Sequence, residues 1–271
     1  PVHLFGLAAD MNPLMTIAQK HGLHVVEDAA CGFGTTYFGQ HVGTFGDTGS
    51  FSFHPRKAIT TGEGGMVTTG DEMLAAKVRK LRDHGAEITD LQRHLGPKPY
   101  LLPDFTDAGL NQRMTDIQAA LGQAQMMRAA DIVSERRLLA QNYDTAFADL
   151  QWLQTPPRIE GYGHSYQSYA CLFMPEDAHR AARDMDFTAI HQINKQRNSW
   201  MENLHRAGVS TRPATHAVHM LEYYKSTYSL TPDRFPAAYV ANECSVSLPL
   251  FHGIEEFEQQ HVIDLVCEGL A

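Results

Sequence analysis

The residues best suited to chemistry lie in the segment from Val25 to Gly65. Its first part is an apolar run that ends in two carboxylates, Glu27 and Asp28, and this pattern is typical of a buried strand whose C-terminal end carries charge. Open α/β sheets bind their ligands beyond such strand ends. The sequence therefore predicts that these two carboxylates lie at a ligand site.

The second chemical group is the amine of Lys57. Residues 50–54 alternate like a strand, Pro55 ends it, and Lys57 follows with no acidic neighbour in the sequence. An amine at the end of a largely apolar strand loses hydration, which favours its neutral and nucleophilic form. The glycines of residues 62–65 permit positive backbone angles and the close approach of a bulky group.

A carboxylate from one strand and an amine from another are the two groups that a pyridine cofactor requires. The carboxylate keeps the ring nitrogen protonated, so that the ring acts as an electron sink, and the amine attacks the aldehyde that the cofactor carries. The residues therefore favour a pocket for pyridoxal 5'-phosphate. Each signal alone also fits a simpler interpretation, in which the carboxylates cap a helix and Lys57 is a solvated side chain.

The composition disfavours several other classes of protein. The 271 residues carry a formal charge of -9, from 31 acidic and 22 basic residues, and no basic cluster interrupts that excess, so a nucleic-acid surface is not expected. No apolar run is long enough to span a bilayer, and we expect a cytoplasmic protein. The four cysteines are far apart in the sequence, which favours reduced thiols over a zinc site or a disulfide framework.

The first 130 residues alternate between strand and helix patterns. Residues 1–6 and 24–27 are predicted as strands around a helix at residues 8–22, and such a β-α-β unit forms a parallel strand pair. Residues 37–43 are typical of a small hairpin. The remaining predicted elements of this part are a strand at 65–69, a helix at 71–82, a long loop at 83–109 and a helix that begins with residues 111–116.

A long helix predicted at residues 129–150 carries the chain out of the first domain. The remainder mixes strands at 166–174 and 244–248 with several helices, which is typical of an α+β domain. We therefore predict a two-domain α/β protein. Its large domain, residues 1–130, has a mostly parallel sheet, and its smaller C-terminal α+β domain, residues 131–271, includes the connecting helix.

Four motifs resemble the DegT/DnrJ/StrS aminotransferases. They are Glu27-Asp28-Ala29-Ala30, Ser52-Phe53-His54-Pro55-Arg56-Lys57, Thr61-Gly62-Glu63-Gly64-Gly65 and Asn111-Gln112-Arg113-Met114-Thr115-Asp116-Ile117-Gln118-Ala119-Ala120. The resemblance continues in order to the C-terminus, through Thr211-Arg212-Pro213 and Ser247-Leu248-Pro249. It implies a fold-type I pyridoxal-phosphate transferase that moves an amino group from an amino acid, glutamate, to a nucleotide-linked keto sugar.

The resemblance also implies a role for each matched residue. Lys57 would form the covalent link to the cofactor and shuttle protons, and Asp28 would pair with the pyridine nitrogen. Ala30 would pack beneath the ring, and the Ser52 hydroxyl would bind the phosphate. Asn111 would reach the phosphate of the neighbouring subunit's cofactor, which implies a homodimer.

Two more residues are expected to contact the sugar nucleotide, and one departs from the family pattern. Arg113 and His219 lie where related enzymes contact that substrate. Cys31 occupies a position where the family has glutamine or histidine near the cofactor's phenolic oxygen, and a thiol is the weaker hydrogen-bond donor. The family's phosphate-binding loop and its stacking aromatic residue would lie upstream of Pro1, so we expect a fragment whose activity belongs to the parent protein.

Three other functions are weighed against aminotransfer. Some relatives carry histidine in place of the lysine and dehydrate sugars instead, and Lys57 argues against that reaction. A non-catalytic homologue without cofactor is the second alternative. A metal site is the third, because His216 and His219 are spaced like a ligand pair, but Ala217 stands where metalloproteases have a glutamate and we expect no metal.

Overall fold

The computed structural model describes residues 1–270. The chain divides into two compact units, of which unit 1 comprises residues 1–130 together with 161–164. Unit 2 comprises residues 131–160 and the described chain from residue 165 onward. Residues 161–164 thus fall in unit 1, whereas the sequence pattern assigned them to the second domain. The domain assignment itself stays a prediction.

Ten α-helices and nine β-strands are present in residues 1–270. The helices are α1 Met11–His21, α2 Glu72–Leu81, α3 Asp90–Leu95, α4 Asp116–Met127, α5 Ala129–Ala146, α6 Pro175–Asp184, α7 Phe187–Arg206, α8 Glu222–Tyr228, α9 Pro236–Cys244 and α10 Glu256–Cys267. The strands are β1 Val26–Asp28, β2 Thr36–Tyr37, β3 Gln40–His41, β4 Thr48–Ser52, β5 Gly65–Thr68, β6 Leu153–Gln154, β7 Tyr162–Gly163, β8 Tyr169–Phe173 and β9 Ser245–Leu248. Within the described chain, no helix combines the length and apolarity needed to cross a bilayer.

The sheet that organises unit 1 has the order β1-β4-β5. β1 and β4 are parallel, with Asp28 opposite Ser50, whereas β4 and β5 are antiparallel, with Ser52 opposite Gly65. The α/β class is confirmed. The described strands of this sheet are mixed, with parallel pairing on one side of β4 and antiparallel pairing on the other, and the mostly parallel sheet of the large domain stays a prediction. The reason for the antiparallel pair is local: β5 follows β4 through a loop without a crossover helix, and such a return gives an antiparallel pair.

The chain start differs from the predicted strand at residues 1–6. Val2 forms one parallel bridge to Asp28, and the chain then turns through a 3-10 helix, Leu4–Gly6. Phe5 and Gly6 have positive φ angles of 60° and 89°, which no strand residue adopts. Local backbone geometry therefore ends the strand after a single bridge.

The predicted hairpin within residues 37–43 is confirmed as the pair β2 and β3. Its two turn residues, Phe38 and Gly39, have φ angles of 46° and 84°, and positive values at both positions suit the right-handed twist of a two-residue hairpin. β7 pairs with the other edge of β2, and the Phe38 N–H donates to Gly161 O over 2.6 Å. This pairing places residues 161–164 in unit 1.

The segment from residue 83 to 109, predicted as a loop, contains the short helix α3. Thr89 caps this helix, and Thr89 and Gln92 form a reciprocal capping box. The next helix, α4, begins at Asp116 with a second such box between Thr115 and Gln118. Its cap and first residue fall at the end of the segment 111–116, so the predicted start of this helix is confirmed.

Unit 2 is built on the antiparallel sheet β6-β8-β9. Its core contains fully buried aromatic side chains, among them Tyr143, Tyr169 and Phe173. α7 begins at Phe187, where Asp186 accepts a hydrogen bond from Ala189 N and caps the helix. The observed strands of this unit agree with a small α+β domain.

Candidate active site

Asp28 is the last residue of β1, and its side chain is exposed. One carboxylate oxygen, Oδ1, accepts a hydrogen bond from Ala30 N over 3.1 Å. Within residues 1–270, the second oxygen, Oδ2, has no hydrogen-bond partner. The carboxylate is therefore oriented by its own turn and retains an oxygen that can bind a ligand.

Glu27, one position earlier, faces the opposite side of the strand and is fully buried. Its Oε1 accepts hydrogen bonds from Phe45 N and Gly46 N, and its Oε2 accepts one from Gly43 N and one from the His3 ring. Burial by itself raises the pKa of this carboxyl, but the hydrogen bonds from His3 and the three backbone groups outweigh it, so the pKa lies below its ordinary value of 4.5.

The arrangement around Glu27 depends on the backbone of Gly43. Its φ of 82° turns the N–H toward the carboxylate, and a Cβ at this position would lie 2.6 Å from the Phe51 ring. The prediction of two carboxylates at one ligand site is thus not what the structure presents. Glu27 is a structural anchor, and Asp28 alone faces outward.

Lys57 lies at the tip of the loop that connects β4 and β5. The loop closes through hydrogen bonds from Phe53 N to Gly64 O and from Thr61 N to Phe53 O, and the Lys57 N–H donates to His54 O over 2.9 Å. Ile59, two residues beyond the lysine, is 1% exposed. The backbone of Lys57 is therefore fixed on both sides by the loop's own contacts.

The Lys57 amine reaches back to the end of β1. Its Nζ donates to Cys31 Sγ over 3.0 Å, and both side chains are half-buried. Cys31 follows Asp28 by three positions. The fold thus brings the amine of Lys57 to the turn that follows Asp28.

Ser52 and Ala30 occupy neighbouring positions at this edge. Ser52 ends β4, two residues after the residue paired with Asp28, so its side chain lies on the same face of β4 as that residue. Its Oγ accepts a hydrogen bond from His54 N over 3.3 Å. Ala30 is half-buried in the turn after β1. We refer to Asp28, Ala30, Cys31, Ser52 and Lys57 as the strand-end cluster.

Asn111 and Arg113 lie on a different segment of unit 1, the extended stretch before α4. Arg113 Nη1 lies 2.5 Å from Asp83 Oδ1, and Asp83 also bridges Asn111 through the backbone. The two chain segments cross closely here, because a Cβ at Gly109 would lie 2.2 Å from Gly85 N. Asp83 was not anticipated from the sequence, since nothing local distinguishes it from other acidic residues.

His219 belongs to unit 2, in the 3-10 helix Val218–Met220. It is 6% exposed, its ring packs at 5.2 Å against Phe235, and its Nε2 is buried without a hydrogen-bond partner in the described chain. His216, its partner in the weighed metal pair, is exposed. An unpaired ring nitrogen in a buried histidine is costly, which makes it suited to a ligand contact.

The comparisons with known proteins bear directly on this chain. The family model for the DegT/DnrJ/EryC1/StrS aminotransferases matches residues 1–267. The chain belongs to that family. The resemblance drawn from the four sequence motifs is thereby confirmed, and members of this family use pyridoxal 5'-phosphate.

Individual relatives give the extent of the likeness. GDP-perosamine synthase of Caulobacter vibrioides is 34% identical over 264 residues, which are 97% of this chain and 63% of that protein. The solved structure of DesV from S. venezuelae is 27% identical with a TM-score of 0.81, over 99% of this chain and 63% of DesV. Spr1654 from Streptococcus pneumoniae, solved in a PLP form, shares the fold at 24% identity, with a TM-score of 0.83 over 100% of this chain and 68% of Spr1654. The chain spans less than two thirds of the length of its first relatives.

The residues present fit the family's cofactor in this unit. An oriented carboxylate with an available oxygen lies at the end of one strand, and an amine that contacts no acidic residue of the described chain reaches the same turn. A serine hydroxyl that accepts one hydrogen bond lies on the neighbouring strand. The pyridine nitrogen requires a carboxylate, the aldehyde requires an amine and the phosphate requires a hydrogen-bond donor such as a hydroxyl.

Proposed function

We propose that the protein to which this chain belongs is a pyridoxal-phosphate aminotransferase that moves an amino group from glutamate to a nucleotide-linked keto sugar. One observation carries the proposal. Lys57 Nζ lies 3.0 Å from Cys31 Sγ, and Cys31 follows Asp28 by three residues, so the amine reaches the turn that begins with the carboxylate. Membership of the aminotransferase family supports the reaction type, and the relatives' sugar substrates support the acceptor.

Each residue of the strand-end cluster has a separate task. When bound, the cofactor supplies an electron sink that stabilises a carbanion. The Asp28 carboxylate binds the pyridine nitrogen and keeps its proton in place. The Ser52 hydroxyl donates to the phosphate, and Ala30 supplies a small apolar surface that the flat ring can approach.

Lys57 moves the proton. Its Nζ contacts only a thiol in the described residues, so no ion pair holds the side chain elsewhere and the amine is placed to act as general base and acid. The loop contacts on both sides of Lys57 hold its backbone, while its four-carbon side chain lets Nζ swing between positions. We infer that the amine leaves Cys31 when the cofactor binds.

Two further residues are proposed for the sugar nucleotide. Arg113 offers a guanidinium whose orientation Asp83 fixes, and that geometry suits a phosphate of the substrate. His219 offers the unpaired Nε2, which can bond a hydroxyl or carbonyl oxygen. Asn111 is proposed to reach the phosphate of a second subunit's cofactor, which makes the homodimer the active form.

The test is turnover by the full-length protein with a panel of keto-sugar nucleotides and glutamate. The variant Lys57→Ala is expected to lose both half-reactions, because no other group at the cluster takes up the proton. The matched control is Lys20→Ala, which removes an exposed lysine of α1 and should leave turnover unchanged. Transamination by the Lys57→Ala protein would show that another residue is the catalytic lysine. Release of water from the sugar instead of amine transfer would favour the dehydratase.

A further inference from the structure

Cys31 and Lys57 form a thiol–amine pair within the strand-end cluster. The two reactive atoms, Sγ and Nζ, are 3.0 Å apart, and the two residues are 26 positions apart in the sequence. The loop hydrogen bond from Lys57 N to His54 O and the burial of Ile59 fix the backbone from which the amine extends. The contact is therefore a product of the fold and not of chance proximity in a flexible segment.

Cys31 differs from the other three cysteines in its surroundings. Burial raises the pKa of the Cys244 thiol to about 12 and that of the Cys171 thiol still further, so neither forms an appreciable thiolate. Cys267 is exposed, but its Sγ donates to the Ala146 carbonyl at 3.7 Å. All four thiols are free, and in the described chain Cys31 alone has a side-chain amine as its partner. Cys31 is therefore the thiol whose sulfur an oxidant can reach beside a side-chain amine.

We propose that Cys31 and Lys57 form an intramolecular sulfur–nitrogen bond when the protein meets hydrogen peroxide. In the first step the thiol sulfur takes one oxygen from the peroxide, which gives a sulfenic acid and releases one water. In the second step the Lys57 amine attacks that sulfur, the S–O bond breaks, the S–N bond forms and a second water leaves. The sulfur loses two electrons and the peroxide gains them, so peroxide is the sole oxidant and the product lacks two hydrogens.

The geometry favours the reaction of the sulfenic acid with Lys57 over its usual reactions. A sulfenic acid is normally captured by a second thiol or by a backbone nitrogen, or it is oxidised further. At this site the nearest nucleophile is the Lys57 amine, already in contact with the sulfur. A sulfenamide forms without an external thiol, and an added thiol reverses it by attack on the sulfur.

The bond would consume the amine on which the proposed function depends. Peroxide therefore inactivates the enzyme reversibly, and a cofactor bound to Lys57 protects it, because the amine is then occupied. The cross-link itself rests on the contact between two side chains of unit 1 and does not require that the protein transaminate. Only the loss of turnover and the protection by cofactor rest on the proposed function.

The experiment treats the full-length protein, with and without pyridoxal 5'-phosphate, with hydrogen peroxide and maps the peptides by mass spectrometry. Without cofactor we expect a peptide pair joined through Cys31 and Lys57 that is lighter than its parts by two hydrogens and separates on addition of dithiothreitol. Cys31→Ser and Lys57→Met should each lose this product. Cys267→Ser is the matched control and should retain it, and circular dichroism of all variants establishes that each is folded.

The outcomes separate the inference from the proposed function. The joined peptide in folded protein supports the inference even if the protein shows no turnover. Oxygen adducts on Cys31 without the joined peptide, a disulfide through Cys31, or an unreacted thiol would each overturn it. Loss of turnover to peroxide that persists in Cys31→Ser would overturn the regulatory consequence.

Discussion

Two neighbouring carboxylates of β1 lie in opposite environments, one buried and one exposed. On the interior side, Glu27 accepts four hydrogen bonds and is fully buried. On the outer side, Asp28 is exposed and accepts a single hydrogen bond from its own turn. A carboxylate saturated by the protein stabilises the fold, whereas one with an available oxygen is free to act on a ligand. Of these two consecutive residues, Glu27 stabilises the fold and Asp28 is the one proposed to bind the cofactor.

Among these variants, the largest change in turnover is expected from Asp28→Asn. The amide keeps the shape and the hydrogen bond to Ala30 N but does not hold the pyridine nitrogen in its protonated form. We expect turnover to fall by about 100-fold or more, with little change in the free energy of unfolding. The measurements are kcat with saturating cofactor and a denaturant titration. A variant that unfolds more readily but turns over normally would reverse the roles assigned to the two carboxylates.

Glu27→Gln should show the reverse pattern. The amide nitrogen would face donors that now point at a carboxylate oxygen, so the free energy of unfolding should fall by on the order of 3 kcal/mol. Turnover per folded molecule should change little, since Glu27 is buried and its hydrogen bonds are all made within the protein. Denaturant titration of both carboxamide variants side by side checks the contrast, and equal destabilisation by the two would remove it.

The same carboxyl predicts an acid dependence of stability. Because the pKa of Glu27 is lower in the folded protein than its ordinary value of 4.5, its ionised form stabilises the fold above that value. That stabilisation is lost as the pH falls through the lowered pKa of the folded state. We expect the free energy of unfolding of the parent protein to decline in this range more steeply than that of Glu27→Gln. Parallel declines would assign the acid sensitivity to other groups.

A smaller effect is expected from Ser52→Ala. Loss of one hydroxyl donor to a phosphate removes roughly 1–2 kcal/mol of binding, which corresponds to weaker cofactor affinity and not to a slower chemical step. Cofactor titration followed by fluorescence measures the affinity. Ser134→Ala, which removes an exposed serine hydroxyl of α5 away from the strand-end cluster, is the matched control.

The smallest effect is expected from Asp83→Asn. The ion pair with Arg113 is partly exposed and contributes less than about 1 kcal/mol to stability. Its loss should instead raise the KM for the sugar nucleotide, because the guanidinium is no longer oriented, while kcat stays near its original value. A lower kcat with unchanged KM would place Arg113 in the chemical step.

Local signals in the sequence predicted element ends well. A helix was predicted from residue 71, and the Asp71 carboxylate caps α2 by accepting hydrogen bonds from Met73 N and Leu74 N. A helix was predicted to end at residue 22, and Gly22 adopts the left-handed conformation at the end of α1. These features depend on residues within one turn of each other, so the pattern alone determines them.

Non-local contacts could not be predicted in the same way. The local pattern of residue types does not distinguish the buried Glu27 from the exposed Asp28, because the partners of Glu27 come from residues 3 and 43–46. The contact between Lys57 and Cys31 likewise depends on how two loops meet. The helix α3 is a different case, since its Thr89 and Gln92 capping box was present in the sequence as a recognisable signal.

The central claim is that Lys57 carries the cofactor at the end of β1. Borohydride reduction of the full-length protein with pyridoxal 5'-phosphate, followed by peptide mapping, tests it directly. We expect the cofactor's mass on the peptide that contains Lys57 and on no other lysine peptide. An unmodified Lys57 peptide, with the label elsewhere or absent, would contradict the account.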